Sequence, residues 1–362
     1  MPNIQDVARH AEVSVSTVSN VLNGRADRMR PETLARVEAT IAALQYRPSK
    51  LAQQLKTGQS PLIGLLVPSM TNPIYGCIAR EIETFAQDLH GHRLLLGSTY
   101  RDRDLESAFV DDLLAQGVRR VIVISSLADE RHFESAAQKG MVVVSYDRGA
   151  TVGQRSRVGH VMPDNFEAAR MATQHLVDRG HRRLAFATAT GMTMSRSAKI
   201  EGFRASAEAA GLRAHAQVLD GGALDEYGDA VIAEVGRATA QKVAAMTTRP
   251  TGIVALNDLM ALGLMAGLRE AGLRVPQDIS LVGIDGLFLS ALANPGLTTV
   301  AMPYREMARA MVERVMQPHD AVMADEQAQV FMPLQLVERE SVAAPPDAQH
   351  ARRVRARTRE LR

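Results

Sequence analysis

From Leu62 to Gly283 the chain repeats one pattern. Short apolar runs at Leu62–Val67, Arg93–Leu96, Val121–Ile124, Val142–Ser145, Leu184–Ala187, Gly252–Leu256 and Ile279–Gly283 alternate with helix-length segments such as Ile78–Leu89, Leu105–Gln116, Asn165–Arg179, Ser195–Ala210 and Asp258–Ala271. A hairpin needs only a tight turn, so strands spaced by whole helices imply parallel sheets with right-handed crossovers. Ligands of such sheets gather beyond the carboxyl ends of the strands. The polar residues just after the runs are therefore the pocket candidates: Asn72 and Tyr75 after the first, Ser125 after the third, Asp147 after the fourth, Asn257 and Asp258 after the sixth, and Asp285 after the last. Each could equally be a helix cap or a loop residue.

The first fifty residues follow a different rule. Ile4, Val7, Ala8 and Ala11 share one helical face, and Val18, Val21 and Leu22 share another. Asn3 suits the start of the first helix, with Asp6 near its positive end, and Ser14 suits the start of the second. With its apolar stripe turned inward, the second helix points Val15, Ser16, Thr17, Ser19 and Asn20 outward, all small enough to approach base edges in a major groove. A third helix is expected from Pro31 to Gln45 with Leu34, Val37, Ile41 and Leu44 inward. Helical hairpins are common, and this one could also cap an enzyme. Ser49–Gly58, with a possible Ser49 cap and leucines at 51 and 55, is too short to be a stable helix alone and reads as a linker or as a helix that needs a partner.

Charge is unevenly spread: residues 1–58 carry a net +3, residues 59–342 a net −5 and residues 343–362 a net +4. Basic ends on an acidic body suit a head that meets phosphate, although a mildly basic surface can also simply be solvated. The hydrophobic share of 46% is enough for a large core. Cys77 is the single cysteine, so no internal disulfide can form, and it is expected to be a buried small hydrophobe. No charged-then-apolar leader or membrane-length apolar run is visible, which leads us to expect a cytoplasmic chain. There is no glycine-rich phosphate loop, no Gly-x-Ser-x-Gly elbow and no His-Glu-x-x-His pair, and His90, His92, His160, His175 and His181 lack metal-ligand spacing. These histidines are expected mostly at the surface or as caps, and no catalytic residue, metal or cofactor is expected.

Nine ordered stretches carry a resemblance to a known family. They are Asp6-Val7-Ala8, Val13 to Ser19, Tyr46-Arg47-Pro48, Ile63 to Pro68, Thr71-Asn72-Pro73, Arg179 to Arg183, Ala255 to Gly263, Val275 to Asp278 and Leu297 to Val300. From about Asn3 to Val342 the chain resembles the LacI/GalR family, the lactose- and purine-repressor regulators. The resemblance implies an all-α helix-turn-helix head over 1–47, a hinge over 48–59, and an α/β periplasmic-binding-protein-like core of two parallel-sheet subdomains. One subdomain would hold 60–162 plus about 292–324, and the other 163–291 plus about 325–342. A basic disordered tail, 343–362, would follow. The resemblance adds Ser14, Asn23 and Tyr46 to the DNA-contacting set, and implies that Leu55, beside Lys56, wedges into a minor-groove step. In the core it adds Ser195 and Lys199 to the effector set and singles out Asp285, at a position that commonly accepts from a ligand hydroxyl.

Departures from the family pattern sharpen this. Lys199 stands where arginine is frequent, and Ala223, ahead of Tyr227-Gly228, stands where an aromatic often stacks on a ring. A point cation without a stacking plate suits a small acyclic anion, such as gluconate or another sugar acid, better than a purine. In the head, Asn20 replaces a frequent arginine and favours adenine edges, and Glu12 replaces a frequent glycine at the turn. The expected function is a homodimeric repressor on a near-palindromic DNA operator, controlled by a sugar or sugar acid and without contact to membranes. The alternatives are a sugar-binding receptor, which would need an export signal, and a sugar-modifying α/β enzyme, which would not need residues 3–58.

Overall fold

The computed structural model describes residues 2–22, 24–25, 29–46, 60–125, 127, 129–146, 156–190, 193–222, 229–319 and 332–346. The chain divides into two compact units, residues 1–61 and residues 62–362.

The first unit is three helices, α1 (Ile4–His10), α2 (Val15–Leu22) and α3 (Pro31–Ala43). Asn3 starts α1 with a capping box: its side chain accepts from the amides of Gln5 and Asp6, and Asp6 reaches back to the Asn3 amide. The helix ends in a Schellman motif, with the Val13 amide on the Ala8 carbonyl at 3.0 Å and Glu12 on Arg9 at 3.3 Å. Glu12 therefore takes φ 51°, the left-handed conformation that glycine tolerates best. The same motif ends α3, with Tyr46 bonded to Ile41 and Gln45 at φ 47°. Val7, Ala8, Ala11, Val18 and Val37 form the core of this small bundle.

The second unit holds two sheets. The first contains β1 (Leu62–Val67), β2 (Arg93–Ser98), β3 (Arg120–Ile124), β4 (Val142–Tyr146) and β5 (Gly159–Val161), ordered β2-β1-β3-β4-β5 and parallel throughout. The second contains β6 (Leu184–Thr188), β7 (Ala216–Asp220), β8 (Gly252–Ala255), β9 (Ser280–Asp285), β10 (Thr298–Ala301) and β11 (Gln335–Val337), ordered β11-β10-β9-β8-β6-β7, with only β11 antiparallel. Without β11, the second order is the first repeated. Each sheet thus has a switch point beside its first strand, where neighbouring connections leave in opposite directions and open a crevice.

The helices of this unit are α4 (Pro73–His90), α5 (Arg103–Ala115), α6 (Arg131–Gln138), α7 (Asn165–Asp178), α8 (Met194–Ala209), α9 (Asp229–Ala244), α10 (Asp258–Glu270), α11 (Leu289–Leu292) and α12 (Tyr304–Val315). After β5 the chain crosses, and α7 packs on α8 and the second sheet; after β10 it crosses back, and α12 packs on α4 and the first sheet. Each lobe therefore carries a helix that follows the other lobe's last parallel strand.

Several expectations are corrected here. Residues 292–324 do not return to the first lobe as a block, because β10 pairs with β9 and the return begins with α12. The strands β5, β7, β10 and β11 are too short or too mixed in polarity to register as apolar runs. The tail does not begin at Ala343. The Ala343 carbonyl accepts from His181 Nε2 at 2.9 Å and its amide donates to Ser280 Oγ at 3.1 Å, so 343–346 is a strap on the second lobe. His160, His175 and His181 are buried. Cys77 is exposed, because the buried face of α4 runs through Ile74, Ile78, Ile82 and Ala86.

Candidate functional site

In the head, Ser14 Oγ accepts from the Thr17 amide at 3.1 Å and sits 2.7 Å from Ser16 Oγ and 2.8 Å from Thr17 Oγ1. This network starts α2 and holds its first turn. Val18 is fully buried, while Val15 is 41% exposed. Ser16 and Asn20 are exposed as well, and Thr17 and Ser19 are half-buried. The outward face is therefore Val15, Ser16, Ser19 and Asn20, small residues at helical spacing. Tyr46 packs against the bundle core as the last residue of the α3 cap. Asn23, Leu55 and Lys56 lie outside the described residues, as does the hinge over 48–59.

The larger unit has a cleft with a cavity of about 100 Å3 at the carboxyl ends of both sheets. Its lining brings together six of the eight expected effector residues: Asn72, Tyr75, Ser195, Lys199, Asn257 and Asp285. Ser125 is buried outside the lining, where its Oγ accepts from the Leu127 amide at 3.4 Å. Asp147, Ala223, Tyr227 and Gly228 lie outside the described residues.

Local structure explains these placements. Asn72 caps α4 through the Ile74 amide at 3.1 Å, and Asn257 caps α10 through Met260 at 2.9 Å, so both do a cap's work at the cleft edge. Asp285 ends β9 at φ 132°, outside the region that L-residues favour, and is 9% exposed. Lys199 sits on the buried face of α8, only 7% exposed, with Nζ donating to the Leu256 carbonyl at 3.1 Å. No described carboxylate forms an ion pair with it. Tyr304, half-buried at the start of the crossing helix α12, has a hydroxyl that desolvation, together with Asp285, Tyr146 and Tyr75 nearby, pushes well above the ordinary value, so it stays a neutral donor.

Sequence reasoning missed Arg101, Tyr146, Asn165, Thr193, Arg196 and Tyr304, all of which line the cleft. Asn165 and Thr193 fall under the same rule of polar residues after strands, but the strand before Asn165 has only three residues. Arg101 follows β2 in a loop where Tyr100 and Arg101 both have positive φ, 53° and 59°. No sequence pattern marks that turn. Arg196 is 6% exposed and spends two hydrogen bonds, both 2.9 Å, on the carbonyls of Ala189 and Thr190, which holds the β6–α8 loop.

A helical head with a small-residue outer face, on a chain whose larger unit holds a polar cleft between two doubly wound lobes, defines a class: regulators that read DNA with one domain and a small molecule with another. Comparison with known proteins agrees. Residues 3–49 match the model of bacterial regulatory proteins of the lacI family, and residues 173–342 match a periplasmic binding protein-like domain. Catabolite control protein A of Priestia megaterium is 31% identical over 83% of this chain and 87% of its own length. An uncharacterized helix-turn-helix-type transcriptional regulator of Streptomyces limosus is 35% identical over 95% of both chains. A crystal structure of the Lac repressor dimer bound to operator and the anti-inducer ONPF superposes with a TM-score of 0.80 at 26% identity, covering 95% of this chain and 99% of that one. The chain belongs to the lacI family of DNA-binding transcriptional regulators.

Proposed function

We propose that this regulator is a homodimeric repressor whose operator affinity is set by an acyclic sugar acid, of the gluconate type, bound in the cleft of its larger unit. The observation that supports the ligand class is Lys199. A buried ammonium whose partner among the described residues is a carbonyl is costly, and an incoming carboxylate would complete it. Asp285, Asn72 and Asn257 supply acceptors and donors for hydroxyls on the same ligand. The site has the character of a binding site rather than of a catalyst.

On this reading two heads occupy successive major grooves of a near-palindromic operator. Phosphate contacts supply affinity and the α2 face supplies sequence choice. Leu55 and Lys56 enter the minor groove between them. The protein acts where the genome is, in the cytoplasm. The Lac repressor structure contains a dimer on its operator, which supports this arrangement. Ligand binding in such regulators shifts DNA affinity by roughly 5- to 150-fold, the range of common coupling energies.

The test is calorimetry with D-gluconate, D-glucose, D-ribose and guanine, paired with a gel shift on the DNA upstream of the chain's own coding region. Gluconate is expected to bind and to change the shift, and Lys199→Gln is expected to weaken gluconate at least tenfold while leaving ligand-free DNA binding intact. Tight guanine binding with no response to any acid would overturn the ligand class. Leu55→Ala should weaken the operator complex at unchanged gluconate affinity.

A further inference from the structure

Asp258 sits in the first turn of α10, one residue from the cleft residue Asn257, yet it does not line the cleft. It is fully buried and makes three short hydrogen bonds. Its Oδ2 accepts from the Leu287 amide and from Ser290 Oγ, both at 2.7 Å, and its Oδ1 accepts from Thr299 Oγ1 at 2.6 Å. Thr299 Oγ1 in turn accepts from the Gly286 amide at 3.2 Å. Burial pushes the Asp258 carboxyl up while these donors pull it back. Gly283 leaves the room this carboxylate needs, since a Cβ there would overlap Asp258 Oδ1.

The four bonds tie down one short segment at both ends. At its start stands Asp285, held at a φ of 132° by bonds to the two amides that follow it. At its end stand Phe288 and Leu292, 62% and 75% exposed, the two most exposed large hydrophobic residues described. Strained backbone persists only where surrounding structure over-determines it, and here one carboxylate and one hydroxyl do so.

We infer that Asp258 is a positioning residue that makes Asp285–Leu292 a single rigid unit, so that a ligand held by Asp285 shifts the surface presented by Phe288 and Leu292. The effector half of this statement rests on the proposed ligand site; the rigidity of the segment does not. Signals of this kind need an element with two discrete arrangements that the ligand biases. A segment clamped at Leu287 and Ser290 is tied through Asp258 and Thr299 to α10 and β10.

Two measurements on the full chain separate the parts. Amide exchange in the ligand-free protein is read for Gly286 and Leu287 against Val282 in the core of β9. Thr299→Val and Asp258→Asn are expected to speed exchange at 286 and 287 at least tenfold relative to Val282. Uniform acceleration of all three amides, or none, overturns the positioning role. The chain has no tryptophan, so a Phe288→Trp reporter is read alone. D-gluconate is expected to shift its emission, and Thr299→Val is expected to abolish that shift while calorimetry still detects binding. Binding without a shift in the parent reporter overturns the coupling. Failure of gluconate to bind at all overturns the ligand proposal instead, and the exchange result then decides the role of Asp258.

Discussion

Replacing His181 should flatten the acid limb of the stability profile. The imidazole is 1% exposed, wedged beneath the C-terminal strap with Nε2 2.9 Å from the Ala343 carbonyl and Nδ1 3.0 Å from Thr251 Oγ1. A carbonyl can only accept, so Nε2 carries the proton and Nδ1 accepts from the threonine, which is the neutral tautomer. Burial pushes its pKa down from 6.5 to about 4. A group whose folded pKa lies below its unfolded value adds stability that is fully present above 6.5 and is lost as pH falls through 4. The shift is about 2.5 units at about 1.4 kcal/mol each, so about 3 kcal/mol is at stake across this window. Glutamine can donate to Ala343 and accept from Thr251 without titrating. Urea unfolding followed by circular dichroism at intervals from pH 7.5 to 4 should show the parent losing about 3 kcal/mol more than His181→Gln. His175 is also held below its ordinary value by burial, and it contributes equally to both proteins. Equal slopes in the two proteins would refute the buried neutral histidine and, with it, the anchoring of the strap.

Glu12→Gly should stabilise the isolated head by about 0.5–1 kcal/mol, because φ 51° costs a glycine nothing; thermal unfolding of residues 1–61 reads this directly. Gly263→Ala should destabilise the second lobe by about 3 kcal/mol or more, since the new methyl would overlap the backbone carbonyl of Ala233 on α9, where no rotamer can relieve it; urea titration at neutral pH is the check. Asn20→Ala should weaken the preferred operator by about 1–3 kcal/mol while leaving binding to unrelated DNA unchanged, as competition gel shifts would show.

Much of the architecture was legible because periodicity reports local burial. Stripes at helical spacing gave the three head helices, and continuous apolar runs gave seven strands, all but the edge strand β2 buried on both faces. Asn3 and Ser14 announced helix starts by residue type, whereas Asn72 and Asn257, expected first as pocket residues, turned out to cap helices as well. The signal failed where burial was decided by neighbours distant in sequence. Gly159–Val161 is too short to announce a strand, and Gln335–Val337 becomes one only because the edge of β10 is there to pair with. Cys77 has an apolar neighbour in Ile78, yet the face of α4 that meets α12 runs one residue away from it. His175 and His181 look like surface residues until the second lobe and its strap close over them, and His160 until β5 joins the first sheet.

Four cleft residues, Asn72, Tyr75, Asn257 and Asp285, could be named from one local rule, that polar residues follow parallel strands, and the family resemblance added Ser195 and Lys199. What that rule could not give was their company. Arg101, Asn165 and Tyr304 reach the cleft because two crossing helices and a left-handed turn bring them there, and the want of an ion pair to Lys199 among the described residues is a fact about packing. The order of residues determined which elements form and which ends of them are polar, since those depend on neighbours a few positions apart. Which ends converge, which charge has no counter-ion among the described residues, and which carboxylate clamps the backbone of Asp285 were decided only by tertiary structure, because each depends on contacts between segments tens to hundreds of residues apart.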